Sequence, residues 1–178
     1  MSEKVKKEIF EWIKVFAIAI VFAFIITQFI KPTLVRGDSM YSTLEEGDYL
    51  IINRMSYKFK EPERGDIIVF KSDLQQEDGS SKDLVKRVIG VSGDRVKIKN
   101  SKVYVNGEEL VEPYINNEET EGDIDTVVPE KSVFVLGDNR KISLDSRYDD
   151  VGFIDDSDIL GKVFIRLYPF NRMGLLGE

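Results

Sequence analysis

Few side chains in this 178-residue sequence could carry covalent chemistry. It has no histidine and no cysteine. That removes the Ser-His-Asp triad, the Cys-His dyad, most zinc sites and any disulfide framework. A hydroxyl nucleophile here needs another base. Ser39 stands in Arg36-Gly37-Asp38-Ser39-Met40-Tyr41-Ser42-Thr43-Leu44, where Met40, Tyr41 and Leu44 could form an apolar floor. A lone serine in a Gly-Asp turn is ordinarily a turn residue. Ser39 differs in its place, a few residues beyond a long apolar segment.

The base to look for is a buried lysine. Most lysines here lie in polar or alternating contexts, but Lys86 sits in the β-branched run Asp83-Leu84-Val85-Lys86-Arg87-Val88-Ile89-Gly90. On a strand Lys86 and Arg87 face opposite sides, so one of them points at the better-covered face. By periodicity alone, a surface strand with two exposed cations fits equally well. The chemistry favours burial. A free lysine has a pKa of about 10.4, desolvation lowers it, and a neutral amine can take a serine proton. Ser-Lys is a known variant of the triad logic. A third segment, Leu136-Gly137-Asp138-Asn139-Arg140-Lys141-Ile142-Ser143-Leu144-Asp145-Ser146-Arg147, follows an apolar strand and is dense in hydrogen-bonding groups. Alone it reads as a polar loop with a surface Asp-Arg pair; beside the other two it suggests a loop that builds a site.

These residues must be positioned by the rest of the chain. Trp12 to Ile30 reads WIKVFAIAIVFAFIITQFI, long enough to cross a bilayer core as a helix and apolar all round. A cleaved signal peptide would show a shorter apolar core and a small-residue cleavage site; a buried core helix would show polar positions. An uncleaved anchor fits best. Lys4, Lys6, Lys7 and Lys14 precede the apolar run, which places residues 1–11 in the cytoplasm, 12–30 in the membrane and 31–178 outside. Pro32 is expected to end the helix.

Beyond it the expected class is all-β, with many short strands. Runs at 49–52, 67–70, 84–91, 133–136 and 163–167 are rich in Val, Ile and Phe and are punctuated by Gly-Asp turns. Asn106-Gly107 after alternating Lys102-Val103-Tyr104-Val105 signals a hairpin, and Asn100-Ser101 an earlier one. Residues 92–131 read as a smaller hairpin insertion. Ser72 to Lys82 and Asn116 to Asp125 are expected as loops. The formal net charge of −7 argues against nucleic-acid binding.

Together the segments resemble a type I signal peptidase, the bacterial Ser-Lys leader peptidase, in its Gram-positive branch with one anchor and a compact β domain. Gly37-Asp38-Ser39-Met40 with Thr43-Leu44, Gly47-Asp48, Arg64-Gly65-Asp66 through Phe70, Lys86 through Gly90, and Gly137-Asp138-Asn139-Arg140 with Ser143 and Asp145-Ser146-Arg147 match the family's ordered motifs. The resemblance implies Ser39 as nucleophile and Lys86 as general base, with Ser143 orienting the lysine amine. It implies that Asp145 and Arg147 form an ion pair holding the loop, and that Arg87 makes a structural contact. The Ser39 backbone N–H would be one oxyanion donor. Some relatives have a serine at the place of Gly37, whose hydroxyl is a second donor; Gly37 has none. Ser42 stands where the family usually has proline.

The implied substrates are secreted preproteins with small residues at the first and third positions before the cut. They would bind as an added strand, with Leu34, Val35, Met40, Leu84 and Val85 as candidates to line shallow pockets. No cofactor, metal or obligate protein partner is implied; the lipid bilayer is. A self-cleaving Ser-Lys repressor would carry a DNA-binding module where the apolar segment lies. A non-catalytic module binding Ca²⁺ through Asp145, Asp149, Asp150, Asp155, Asp156 and Asp158 lacks EF-hand spacing.

Overall fold

The computed structural model describes residues 3–76 and 79–176. Residues 77 and 78, within the segment expected as a loop, and both termini lie outside the described residues. Helix α1 (Glu3–Phe29) is 27 residues long. At ~1.5 Å per residue it reaches about 40 Å, more than a bilayer core of about 30 Å. Its described side chains are all exposed. The helix ends at Phe29, and Pro32 lies inside strand β1 (Ile30–Leu34), opposite Ile51. The proline is therefore not the helix terminator. As β1 is the edge of its sheet, proline costs no ladder hydrogen bond there.

The remainder is all-β and antiparallel, in two sheets. The larger orders β1, β2 (Tyr49–Asn53), β11 (Ile159–Tyr168), β3 (Ile67–Gln75), β4 (Ser81–Gly90), β9 (Ser132–Leu136) and β10 (Ile154–Asp155), with β12 (Gly174–Leu175) paired to β11. The smaller orders β7 (Glu108–Glu109), β6 (Lys102–Val105), β5 (Arg95–Lys99) and β8 (Ile124–Val127). Asn100, Ser101, Asn106 and Gly107 all have positive φ, the conformation these tight hairpins need. Short 3₁₀ turns are the only helices after α1 among the described residues.

Two expected loops are partly strand. The polar stretch from Ser72 continues the β3–β4 ladder as far as Gln75 opposite Ser81, with Ser72 Oγ donating to the Lys82 carbonyl at 2.7 Å. A protruding two-stranded ribbon covers no core, so it needs no apolar alternation to reveal it. At the end of the second loop, Ile124 and Asp125 enter β8.

Burial explains why β4 can carry two cations inward. It lies between β3 and β9 in the large sheet, and every residue from Lys86 to Gly90 is buried. Val88 packs with Ile68, Phe70, Val133 and Val135. Ile89 packs with Val96, Ile98 and Val103 of the small sheet and Phe134 of β9. A third cluster joins Val35, Met40, Leu44, Leu50, Ile52 and Val163 beneath the turn that carries Ser39.

Candidate active site

Ser39 rides on a tight turn. After β1, Val35 exchanges hydrogen bonds with the opposite limb, its N–H to the Asp48 carbonyl and its carbonyl from the Gly47 N–H. Gly37 then takes φ +81°, which frees the chain to reverse. Tyr41 N–H closes on the Asp38 carbonyl and Leu44 N–H on the Met40 carbonyl. Met40 and Leu44 are 1% and 0% exposed and pin the turn to the core from below. The Ser39 backbone N–H donates to no carbonyl among the described residues.

Lys86 approaches from β4. Its Nζ lies 2.7 Å from Ser39 Oγ and 3.0 Å from the Val85 carbonyl, and the residue is 2% exposed. Burial lowers its pKa to about 8, with Asp145 and Asp138 opposing the shift and Lys82 adding to it. No carboxylate forms an ion pair with it among the described residues. An amine in that state is partly neutral near pH 8 and touches a hydroxyl, the arrangement in which a proton can move from oxygen to nitrogen.

The loop 137–147 closes the site, and it is not a surface loop. Asp138, Arg140, Ser143 and Asp145 are each at most 2% exposed. Gly137 N–H donates to Asp145 Oδ2 at 3.0 Å, Arg147 pairs with Asp145 at 2.8 Å, and Arg147 also donates to the carbonyls of Arg140 and Ser143. Asn139 ties the loop to the nucleophile turn, its N–H on the Ser39 carbonyl and its side chain on the Asp38 carbonyl, both at 3.1 Å. A Cβ at Gly137 would collide with Ser143 and with the Ser39 carbonyl, so only glycine lets the two segments meet this closely. Ser143 Oγ is buried at this junction with no hydrogen-bond partner, and it is not bonded to Lys86.

Arg87 makes a network that was not apparent from local sequence. Its guanidinium forms a two-pronged pair with Asp138 at 2.9 and 2.7 Å, reaches Thr43 Oγ1 and the Gly65 carbonyl, and lies over the Tyr114 ring, 3.9 Å from its centroid. Arg140 is buried against Glu112 and Thr120 and donates to the Gly137 carbonyl. Glu112, Tyr114 and Thr120 lie between β7 and β8, so the connection within the small sheet braces the site. Motif membership was the only sequence signal for Asp138 and Arg140, and Glu112 and Tyr114 had none.

Ser39 and Lys86 open on a cleft of about 570 Å³. Leu34, Val35, Leu84 and Val85 line it, as do Leu74, Ile142 and Leu144, which the sequence did not single out. Met40 does not line it; it is in the core beneath. A concavity of similar size on the small sheet, about 590 Å³, is walled by Arg95, Lys97 and Asp125, which are tied to one another, and its lining has no serine or threonine. The acidic residues weighed as a calcium site do not converge: among the described residues no three metal-ligating side chains come together.

The chain is similar in sequence to proteins of one family. The family model described as signal peptidase, peptidase S26, matches residues 9–168. Signal peptidase IB of Staphylococcus aureus (strain COL) is 40% identical over 186 residues, covering 94% of this chain and 93% of that protein. Signal peptidase I of Bacillus licheniformis is 38% identical, covering 97% of this chain and 95% of that protein. A solved signal peptidase I from Enterococcus faecalis V583 is 34% identical and covers 58% of this chain and 97% of its own, with a TM-score of 0.48. Fold and match define a peptidase with an all-β body and an apolar N-terminal helix. The chain belongs to the signal peptidase family, peptidase S26.

Proposed function

We propose that this protein is a membrane-anchored serine endopeptidase that removes signal peptides from exported preproteins after small residues, with Ser39 as nucleophile and Lys86 as general base. The observation that carries the reading is a lysine amine, 2% exposed, 2.7 Å from a serine hydroxyl at the wall of a cleft.

In this mechanism Lys86 takes the Ser39 proton as Oγ attacks the scissile carbonyl. The free Ser39 N–H supports the oxyanion, and Lys86 then protonates the leaving amine. An acyl-enzyme remains, which water hydrolyses with Lys86 again as base. Gly37 offers no hydroxyl, so a second oxyanion donor comes from backbone or water. The substrate lies extended between the segment 34–36 and the segment 83–85. Shallow apolar walls from Leu34, Val35, Leu84 and Val85 admit alanine and exclude larger residues. Asp145 and Arg147 hold the loop that brings Ser143 to the junction. Helix α1 spans the bilayer once with its lysine-rich end in the cytoplasm, which sets the β domain outside.

The test is cleavage of a preprotein bearing an Ala-x-Ala site by the full chain in lipid, beside Ser39→Ala and Lys86→Ala. The expected result is cleavage by the wild type and by neither variant. Full activity in Lys86→Ala would overturn the dyad. A covalent serine probe that labels wild type and Ser39→Ala equally would overturn the nucleophile.

A further inference from the structure

The charge and exposure of one short segment fit neither the core nor the cleft. Between β2 and β3 the chain reads Arg54-Met55-Ser56-Tyr57-Lys58-Phe59-Lys60. Phe59 is 84% exposed, and Arg54, Lys58 and Lys60 are exposed with no ion pair among the described residues. Arg36, Lys71, Lys99 and Lys131 are also exposed without an ion pair among the described residues, but each is isolated in sequence, while Lys97 pairs with Asp125, Lys102 with Glu109 and Lys31 with Asp83. Three unpaired cations in seven residues are unusual in a chain of net charge −7. Carboxylates begin only at Glu61 and Glu63, past the segment's end.

The segment is also fixed in place. Arg54 N–H donates to the Phe29 carbonyl, the last residue of α1, at 3.0 Å. Ile30 pairs with Asn53, and no linker separates helix from strand. Asn53 accepts from Met55 N–H, Lys58 N–H closes on the Met55 carbonyl, and Tyr57 OH donates to Asp66 Oδ2 at 2.7 Å. The loop is a short rigid turn that begins at the apolar helix's exit and presents an aromatic ring between two lysines.

We infer that this turn rests on the anionic surface of the bilayer that holds α1, with Phe59 inserted among the headgroups and Arg54, Lys58 and Lys60 against lipid phosphates. Aromatic rings and snorkelling cations share that zone, and basic residues next to a span gain from anionic lipid. The inference rests on the reading of α1 as a membrane span. It gives the β domain a second point of support besides the helix, which fixes its tilt relative to the bilayer.

The chain has no cysteine, so single-cysteine labelling is clean. Phe59→Cys carries an environment-sensitive fluorophore in the full chain, reconstituted into phosphatidylcholine vesicles or an equal mixture with phosphatidylglycerol. Lys99→Cys, exposed at the β5–β6 hairpin of the small sheet, is the control. The expected result is a blue-shifted Phe59 probe, quenched by brominated lipid and shielded from iodide, most strongly with phosphatidylglycerol. The Lys99 probe stays accessible to iodide throughout. Adding Lys58→Glu and Lys60→Glu should return the Phe59 probe toward the control, by roughly fivefold in partition per lost cation. A Phe59 probe as wet as the control, in protein that resists alkaline extraction, would overturn the inference and leave the anchor intact. Release of the protein by alkali would overturn the anchor reading, and the inference with it.

Discussion

Lys86 and Arg87 are neighbours on β4, both buried, and their surroundings are opposites. Arg87 is paired: a two-pronged carboxylate, a hydroxyl, a backbone carbonyl and an aromatic face meet its guanidinium. Lys86 meets a hydroxyl and a carbonyl and no carboxylate. Burying a charge is tolerable when it is paired and costly when it is not. The Arg87 side holds structure; the Lys86 side makes a charge expensive and favours the neutral amine that the proposed base requires. One strand serves architecture and chemistry because its two faces are covered by different partners.

The largest expected effect tests the chemical side. Lys86→Met removes the amine but fills its volume. Turnover should fall by on the order of 10³-fold or more. The melting temperature should hold or rise, since an unpaired buried cation is gone. A lowered melting temperature with activity retained would reverse the comparison. Asp138→Ala tests the structural side, leaving Arg87 buried and uncompensated. A loss of about 3–5 kcal/mol in unfolding free energy is expected. An unchanged denaturant midpoint would show that Arg87 does not depend on its carboxylate.

The pH dependence separates the two faces further. With a pKa near 8, kcat/KM should fall about tenfold per pH unit below that value as Lys86 becomes protonated. The stability consequence has a definite sign. The folded pKa is depressed from 10.5 to about 8, so between those values the unfolded chain binds more protons, and stability rises with pH across that window. A flat kcat/KM profile from pH 6 to 8 would remove Lys86 as the titrating base. The smallest effect belongs to Ser143→Ala. Its hydroxyl has no partner, so stability should change by less than about 1 kcal/mol, while kcat drops about tenfold if the hydroxyl orients the amine during turnover. Unchanged kcat would leave Ser143 as packing.

The sequence spoke most clearly where local rules decide structure. β-branched runs marked the main strands, Asn100-Ser101 and Asn106-Gly107 marked the hairpins of the small sheet, and the absence of histidine and cysteine left lysine as the candidate base. It was silent where distant segments decide. Periodicity left Lys86 ambiguous because burial of both β4 faces requires the small sheet, whose residues come after it. Asp138 looked like a surface loop residue because its partner, Arg87, is 51 positions away. Glu112 gave no signal because Arg140 lies 28 positions beyond it. Met40 was expected at the cleft because an apolar residue beside a nucleophile does not disclose whether it faces up or down; the turn sends it into the core. The β3–β4 ribbon was missed because a polar, uncovered hairpin carries no apolar period.

Helix α1 runs into β1 without a linker, and Ser39 follows Phe29 by ten positions. A chain of that length reaches at most about 36 Å even when fully extended. In a protease held by α1 this stretch is a ruler. The nucleophile sweeps only a shallow shell above the lipid, so a substrate tethered in the same bilayer must pay out a matching length of chain before its scissile bond comes within reach. Under the proposed function, distance from the membrane thus joins side-chain size as a criterion of cleavage. Lengthening the junction between α1 and β1, ahead of the cleft residues that begin at Lys31, is then expected to move the selected cut site.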